Sequence, residues 1–313
     1  MYDSQKKTIN SFIENLMTPE IQSVVDELIS LDGISTFSHF PNLILVLISL
    51  ALMWIGKIVF NLFVSYSLEH QLVKEDNKAI AISFFGYLAG VAIVLEGVLE
   101  GGSTSLAQEI IEVCIWGIIG ILALNLAGKL NDHLILRQFQ NKKELLEKHN
   151  VAVGVVVAGS YLGSAMIIRS IILGESLGWL YDIVLIVLYF LLAQFAFFIY
   201  SVIYQVVTKY DYHKEIEDGN VAAGISLGFN LIAVGILLAI PLRTSFSLLY
   251  FLAWFVIGSA VLAFFRFILD RTIIPLEKLD QEIHEDRNWG VAFLEGCFSI
   301  AAVIILQSIF MAF

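Results

Sequence analysis

HEDRNWGVAFLEG, residues 284–296, turns at Asn288 from a charged stretch into a run of small and apolar residues. Nearly the same phrase occurs three more times: KEDNKAIAISFFG from Lys74, EKHNVAVGVVVAG from Glu147 and EIEDGNVAAGISLG from Glu215. Aligned on Asn77, Asn150, Asn220 and Asn288, the copies follow one another at steps of 73, 70 and 68 residues. A near-constant period of this kind marks a repeat architecture. The second residue after each Asn reads Ala79, Ala152, Ala222 and Gly290, and the fourth reads Ala81, Gly154, Gly224 and Ala292.

The background to these phrases is a membrane protein. The chain of 313 residues is 58% hydrophobic and 15% charged, with a mean hydropathy of +0.82, whereas soluble domains carry about a quarter charged residues. A bilayer crossing takes roughly 20 apolar residues, and eight such stretches are present: about 41–66, 77–99, 109–132, 150–173, 180–208, 220–242, 246–269 and 288–312. The repeating unit is therefore a helical hairpin whose second span opens with Asn. The expected fold is an all-α polytopic transmembrane bundle of about eight spans built from four hairpins. Trp116 and Trp254, with Asp132 and Asp270, recur at equal distances before Asn150 and Asn288. That second layer of order divides the chain into four-span units at 41–173 and 180–313 and predicts an internal pseudo-two-fold axis along the membrane normal. Residues 1–40, polar and without a basic leader before an apolar core, read as two short amphipathic helices on the extracytoplasmic surface.

Basic residues set the orientation. Lys74, Arg137, Lys142, Lys143, Lys148 and Lys209 lie in the loops on the Asn side, with more basic residues in 271–287. Those loops are expected in the cytoplasm, with both termini outside. The net charge of −11 is spread over loops and the N-terminal segment, which excludes a nucleic-acid footprint. Cys114 and Cys297 fall inside apolar spans and are expected to pack there as small hydrophobes. No phosphate loop, HExxH or GxSxG motif is present, so neither an enzyme nor a cofactor or metal site is expected. Each Asn-side loop has a His, and His70, His149, His213 and His284 stand at unequal distances from their Asn, which argues against a symmetric metal site.

A two-span unit of about 65–70 residues, with a charge-Asn-x-Ala-x-Ala/Gly entry to its second span, resembles the DUF350 (YjfL-type, UPF0719-like) bacterial inner-membrane proteins, here as two four-span units in tandem. The resemblance covers about 41–312. It implies a bacterial cytoplasmic membrane protein associated with membrane stress and envelope maintenance, and no catalytic residues.

For the repeated Asn two roles compete. As an N-cap it accepts a hydrogen bond from an orphan N–H at a helix start, with small residues beyond it allowing close helix packing. Alternatively the four Asn-headed ends converge into a polar cytoplasmic mouth of a channel or transporter for an ion or small solute. A docking site for a cytoplasmic protein partner is a third use; for the protein as a whole, assembly as a homo-oligomer is a further expectation, and the amphipathic segment within 1–40 adds a lipid-binding role. Charges within spans are functional candidates by default. Glu96 with Arg169, and Glu100 with Arg243, stand at matching depths and are expected to form pairs between repeats. Glu295 lies seven residues past Asn288 in an apolar stretch, with Arg266 or Lys57 as its expected partner. Asn125, Gln194 and Asn230 are expected to form hydrogen bonds between helices.

Overall fold

In a computed structural model of the protein, residues 42–102, 105–174, 178–273 and 276–311 are described. The amphipathic helices expected within 1–40 lie outside them. Eight of the described helices are long and apolar enough to cross a bilayer. They are α1 (Leu43–Phe63), α3 (Lys78–Glu100), α4 (Leu106–Leu134), α6 (Val151–Ile172), α7 (Trp179–Val207), α9 (Val221–Thr244), α10 (Leu248–Ile268) and α12 (Trp289–Met311). Four six-residue helices precede the Asn phrases: α2 (Leu68–Val73), α5 (Asn141–Leu146), α8 (Tyr212–Glu217) and α11 (Leu279–His284). No strand occurs among the described residues; a helix satisfies its backbone hydrogen bonds within one segment, as a bilayer crossing requires.

The helices beginning at the four Asn residues form the core. α3 packs on α6, α6 on α9 and α9 on α12, an order set by small residues. A Cβ on Gly154 of α6 would stand 2.5 Å from the Ala79 carbonyl oxygen of α3, and one on Gly224 of α9 would stand 2.6 Å from the Ala152 carbonyl oxygen of α6. Backbones that approach this closely exclude any larger side chain. Lipid tails are as apolar as the helices, so contact of this kind, rather than hydrophobic burial, drives association. Burial peaks in the middle of the series, at 78% of the α6 span and 89% of the α9 span, and falls to 50% for α3 and 33% for α12. Three of the odd-numbered spans pack against this series: α4 on α3 and α6, α7 on α6, and α10 on α9 and α12.

Two expectations about position need correction. Cys297 is exposed rather than packed in the bundle, and Cys114 is half-buried. For Cys297 the cause lies in α12, whose far side has no further helix to cover it among the described residues.

Candidate functional site

Each Asn phrase builds the same local structure. The residue before the Asn adopts a left-handed backbone, at Asp76 (φ 47°), His149 (50°), Gly219 (77°) and Arg287 (50°). This reversal turns the chain from the six-residue helix into the span. The Asn side-chain oxygen then caps that span: Asn77 accepts from Ile80 N–H, Asn150 from Ala152 and Val153, Asn220 from Ala223, and Asn288 from Gly290 and Val291.

The side-chain nitrogen does something a cap does not require. One of its bonds stays within the repeat, to Gln71 from Asn77 (2.7 Å), Glu144 from Asn150 (3.1 Å), Glu215 from Asn220 (2.7 Å) and Glu282 from Asn288 (2.8 Å). Another crosses to the six-residue helix of the next repeat. Asn77 donates to the Leu145 carbonyl at 2.8 Å, Asn150 to Ile216 at 2.7 Å and Asn220 to Ile283 at 2.8 Å. These three Asn side chains are buried, whereas Asn288 is exposed and has no such crossing bond among the described residues. The four do not close into a ring around a mouth; they form an open series in which each repeat clasps the next. Capping alone is readable from residue type. The crossing bond was missed because it depends on which carbonyl lies beside the amide, and the only sequence signal for it is the preference for Asn over Ser or Asp in all four copies.

On the opposite side, Arg169 of α6 forms ion pairs with Glu96 and Glu100 of α3, and Arg243 of α9 pairs with Glu100 at 2.8 Å. Glu100 thus bridges two repeats, joining pairs that the sequence treats as separate.

Glu295 of α12 is 1% exposed and 2.7 Å from Arg266 of α10. Arg266 also reaches Asp280 of α11 at 3.0 Å, and Ser226 of α9 donates to Glu295. The Tyr204 hydroxyl lies 2.5 Å from Ser226 Oγ and 3.2 Å from the Tyr210 hydroxyl. A buried charge is tolerated only when paired and hydrogen-bonded, and this carboxylate is both. The alternative partner Lys57 is not there. It pairs with Glu69 of α2 at 2.6 Å, because α1 packs beside α3 and α4, where Tyr87 donates to the Gly56 carbonyl and Gly117 meets Leu52.

Neutral polar groups join helices as well. Asn125 donates to Tyr87, Tyr200 to Asn230, and Ser164 to Gln194. The loop histidines have unlike surroundings: His70 lies near Glu75, His284 is 2.9 Å from Glu215, and His213 is buried with Nε2 3.0 Å from the Ile135 carbonyl. Burial holds the His213 pKa below the ordinary histidine value.

Comparison with known proteins finds one family twice along the chain. The family described as Domain of Unknown Function (DUF350) matches residues 34–172 and again 178–310. A UPF0719 transmembrane protein of Aquifex aeolicus (strain VF5) is 23% identical over 267 residues, 82% of this chain and 97% of the relative. The UPF0719 transmembrane protein YshE of Bacillus subtilis (strain 168) is 27% identical over 130 residues, 42% of this chain and 96% of the relative. No solved structure matches. Since the two matched segments together take in all eight membrane-spanning helices, the chain is an integral membrane protein that belongs to the DUF350 family.

Proposed function

We propose that the protein is a helical scaffold of the bacterial cytoplasmic membrane that acts in envelope maintenance, with the Asn side of the bundle in the cytoplasm and both termini outside. The observation that carries this reading is the use made of the repeated Asn. Three of the four are buried between repeats with both side-chain atoms engaged in structure, so their polarity serves assembly. The lysines and arginines of the Asn-side loops support the orientation, and those loops offer the surface for a cytoplasmic partner.

One observation favours the rival reading, conduction of an ion or small solute. Glu295, Arg266, Ser226, Tyr204 and Tyr210 form a buried polar cluster within the spans, and intramembrane ionisable groups often mark solute paths. Flux into proteoliposomes under K⁺, Na⁺, H⁺ and Cl⁻ gradients separates the two. A scaffold gives flux equal to that of empty liposomes, and its deletion in a host leaves an envelope more permeable under osmotic stress. Ion-selective flux that changes in a folded Glu295→Gln variant would replace the scaffold with a conduit.

A further inference from the structure

The contact between successive repeats joins two different surfaces. One helix presents the second, ninth and thirteenth residues after its Asn. The next presents the fourth, eighth, eleventh and fifteenth. Ala79, Gly86 and Gly90 of α3 form the first kind of surface, and all three are buried against α6. Ala152, Gly159 and Gly163 of α6 do the same against α9. The second kind of surface is buried at Gly154, Ala158 and Ala165 of α6, and again at Gly224, Gly228 and Gly235 of α9.

One surface of each kind is left over. At the α12 end, Gly290, Cys297 and Ala301 are the second, ninth and thirteenth residues after Asn288, and all are exposed. At the α3 end, Ala81, Phe85 and Ala92 are the fourth, eighth and fifteenth after Asn77, and all are exposed. At positions eight and nine the free ends pair one ring with one small residue, as the α9–α12 contact does. Within the chain, Phe229 at position nine lies against Gly296 at position eight. At the free ends Phe85 stands at position eight and Cys297 at position nine, so the ring and the small residue exchange sides.

The polar clasp is left open in the same way. The crossing bonds end on the carbonyls of Leu145, Ile216 and Ile283, each the residue after the Glu that holds the same repeat's Asn. In the first repeat Gln71 takes the place of that Glu, and the residue after it is Leu72.

We propose that copies of this chain associate head to tail in the membrane, the α12 end of one against the α3 end of the next, through a fourth instance of the repeat contact in which Asn288 donates to the Leu72 carbonyl of a second copy. The occupant follows from continuity, since both halves of an interface already made three times are left uncovered among the described residues of one molecule. The match of a half-length relative to 42% of this chain fits the same picture. In this chain the α6–α9 contact joins, within one polypeptide, two segments that each match the family. A contact between unlike surfaces closes into a ring or extends as a line, according to the rotation at each step. This inference deepens the scaffold reading. It fails separately from it, since a monomer would still have to be tested for flux.

The test uses Gly290→Leu and Ala81→Leu, positions exposed in a single copy, with melting temperature as the check that each variant folds. Differently tagged full-length copies are co-expressed, purified in mild detergent and weighed by native mass spectrometry. Wild-type copies co-purify as dimers or larger species, and each variant expressed alone is monomeric. Co-expression of the two variants restores a dimer and nothing larger, because each keeps one intact end. A monomeric wild type overturns the proposal, as does either variant assembling like wild type. Failure of the mixed pair to associate also overturns it, by placing both residues in a single two-fold contact.

Discussion

The side-chain nitrogen of Asn150 lies 2.7 Å from the carbonyl oxygen of Ile216, 66 residues further along the chain and in the other half of the protein. The same side chain caps α6 with its oxygen. One residue therefore starts a helix and fastens two repeats, and the two duties can be separated by substitution.

Asn150→Asp keeps the capping oxygen but loses the crossing donor and places a second carboxylate beside Glu144, 3.1 Å from the present amide. It is expected to lower stability by about 1–3 kcal/mol, the range for leaving a buried acceptor unsatisfied. Asn150→Ala adds the loss of a cap, about 1 kcal/mol. Asn288→Asp, at an exposed site with no crossing bond among the described residues, is expected to cost less in a monomer. Thermal unfolding of the three purified variants checks the order; equal losses at 150 and 288 would remove the clasp.

Removing one member of the Glu295–Arg266 pair leaves the other buried with a reduced set of partners. Glu295→Leu is expected to destabilise by on the order of 3–5 kcal/mol, and the double variant Glu295→Leu, Arg266→Met by less than either single change. A double-mutant cycle read by chemical denaturation gives the coupling. A coupling near zero would mean that the two charges do not depend on each other.

The left-handed residue before each Asn is Gly only once. An L side chain in that region costs roughly 1–2 kcal/mol, so Gly219→Ala at φ 77° is expected to destabilise by about 1 kcal/mol. His149→Gly at φ 50° should change stability in the opposite direction. Melting temperatures that move the same way for both would contradict the backbone argument.

His213 is buried with Nε2 3.0 Å from the Ile135 carbonyl, Asp211 and Arg137 being the charged groups that act on it. Its lowered pKa means that the unfolded α8 segment binds the proton more readily than the folded one. Stability at α8 is then full above about pH 6.5, the ordinary histidine value, and falls as the pH drops through it. Hydrogen exchange of 212–217 measured between pH 5 and 8 should show faster opening at the acid end, and His213→Gln should flatten the dependence.

The sequence by itself determined the membrane class, the all-α fold, the eight spans and the four helix starts, because each follows from local chemistry: apolar length, an Asn before each span, small residues at fixed steps. Glu96, Arg169, Glu100 and Arg243 could also be placed near one level by counting from the Asn, since helix rise converts sequence distance into depth. The tertiary structure alone decided the lateral order of the spans. Depth says nothing about which neighbour stands beside a helix, so the partner of Glu295 was open between Arg266 and Lys57 until α1 was found beside α3 and α4. The same holds for the Asn side chains. Their capping oxygen acts within three residues of the chain, but their amide nitrogen acts across 63 to 68 residues between successive repeats, and only packing brings Ile216 to Asn150 and leaves Asn288 with its clasp open among the described residues.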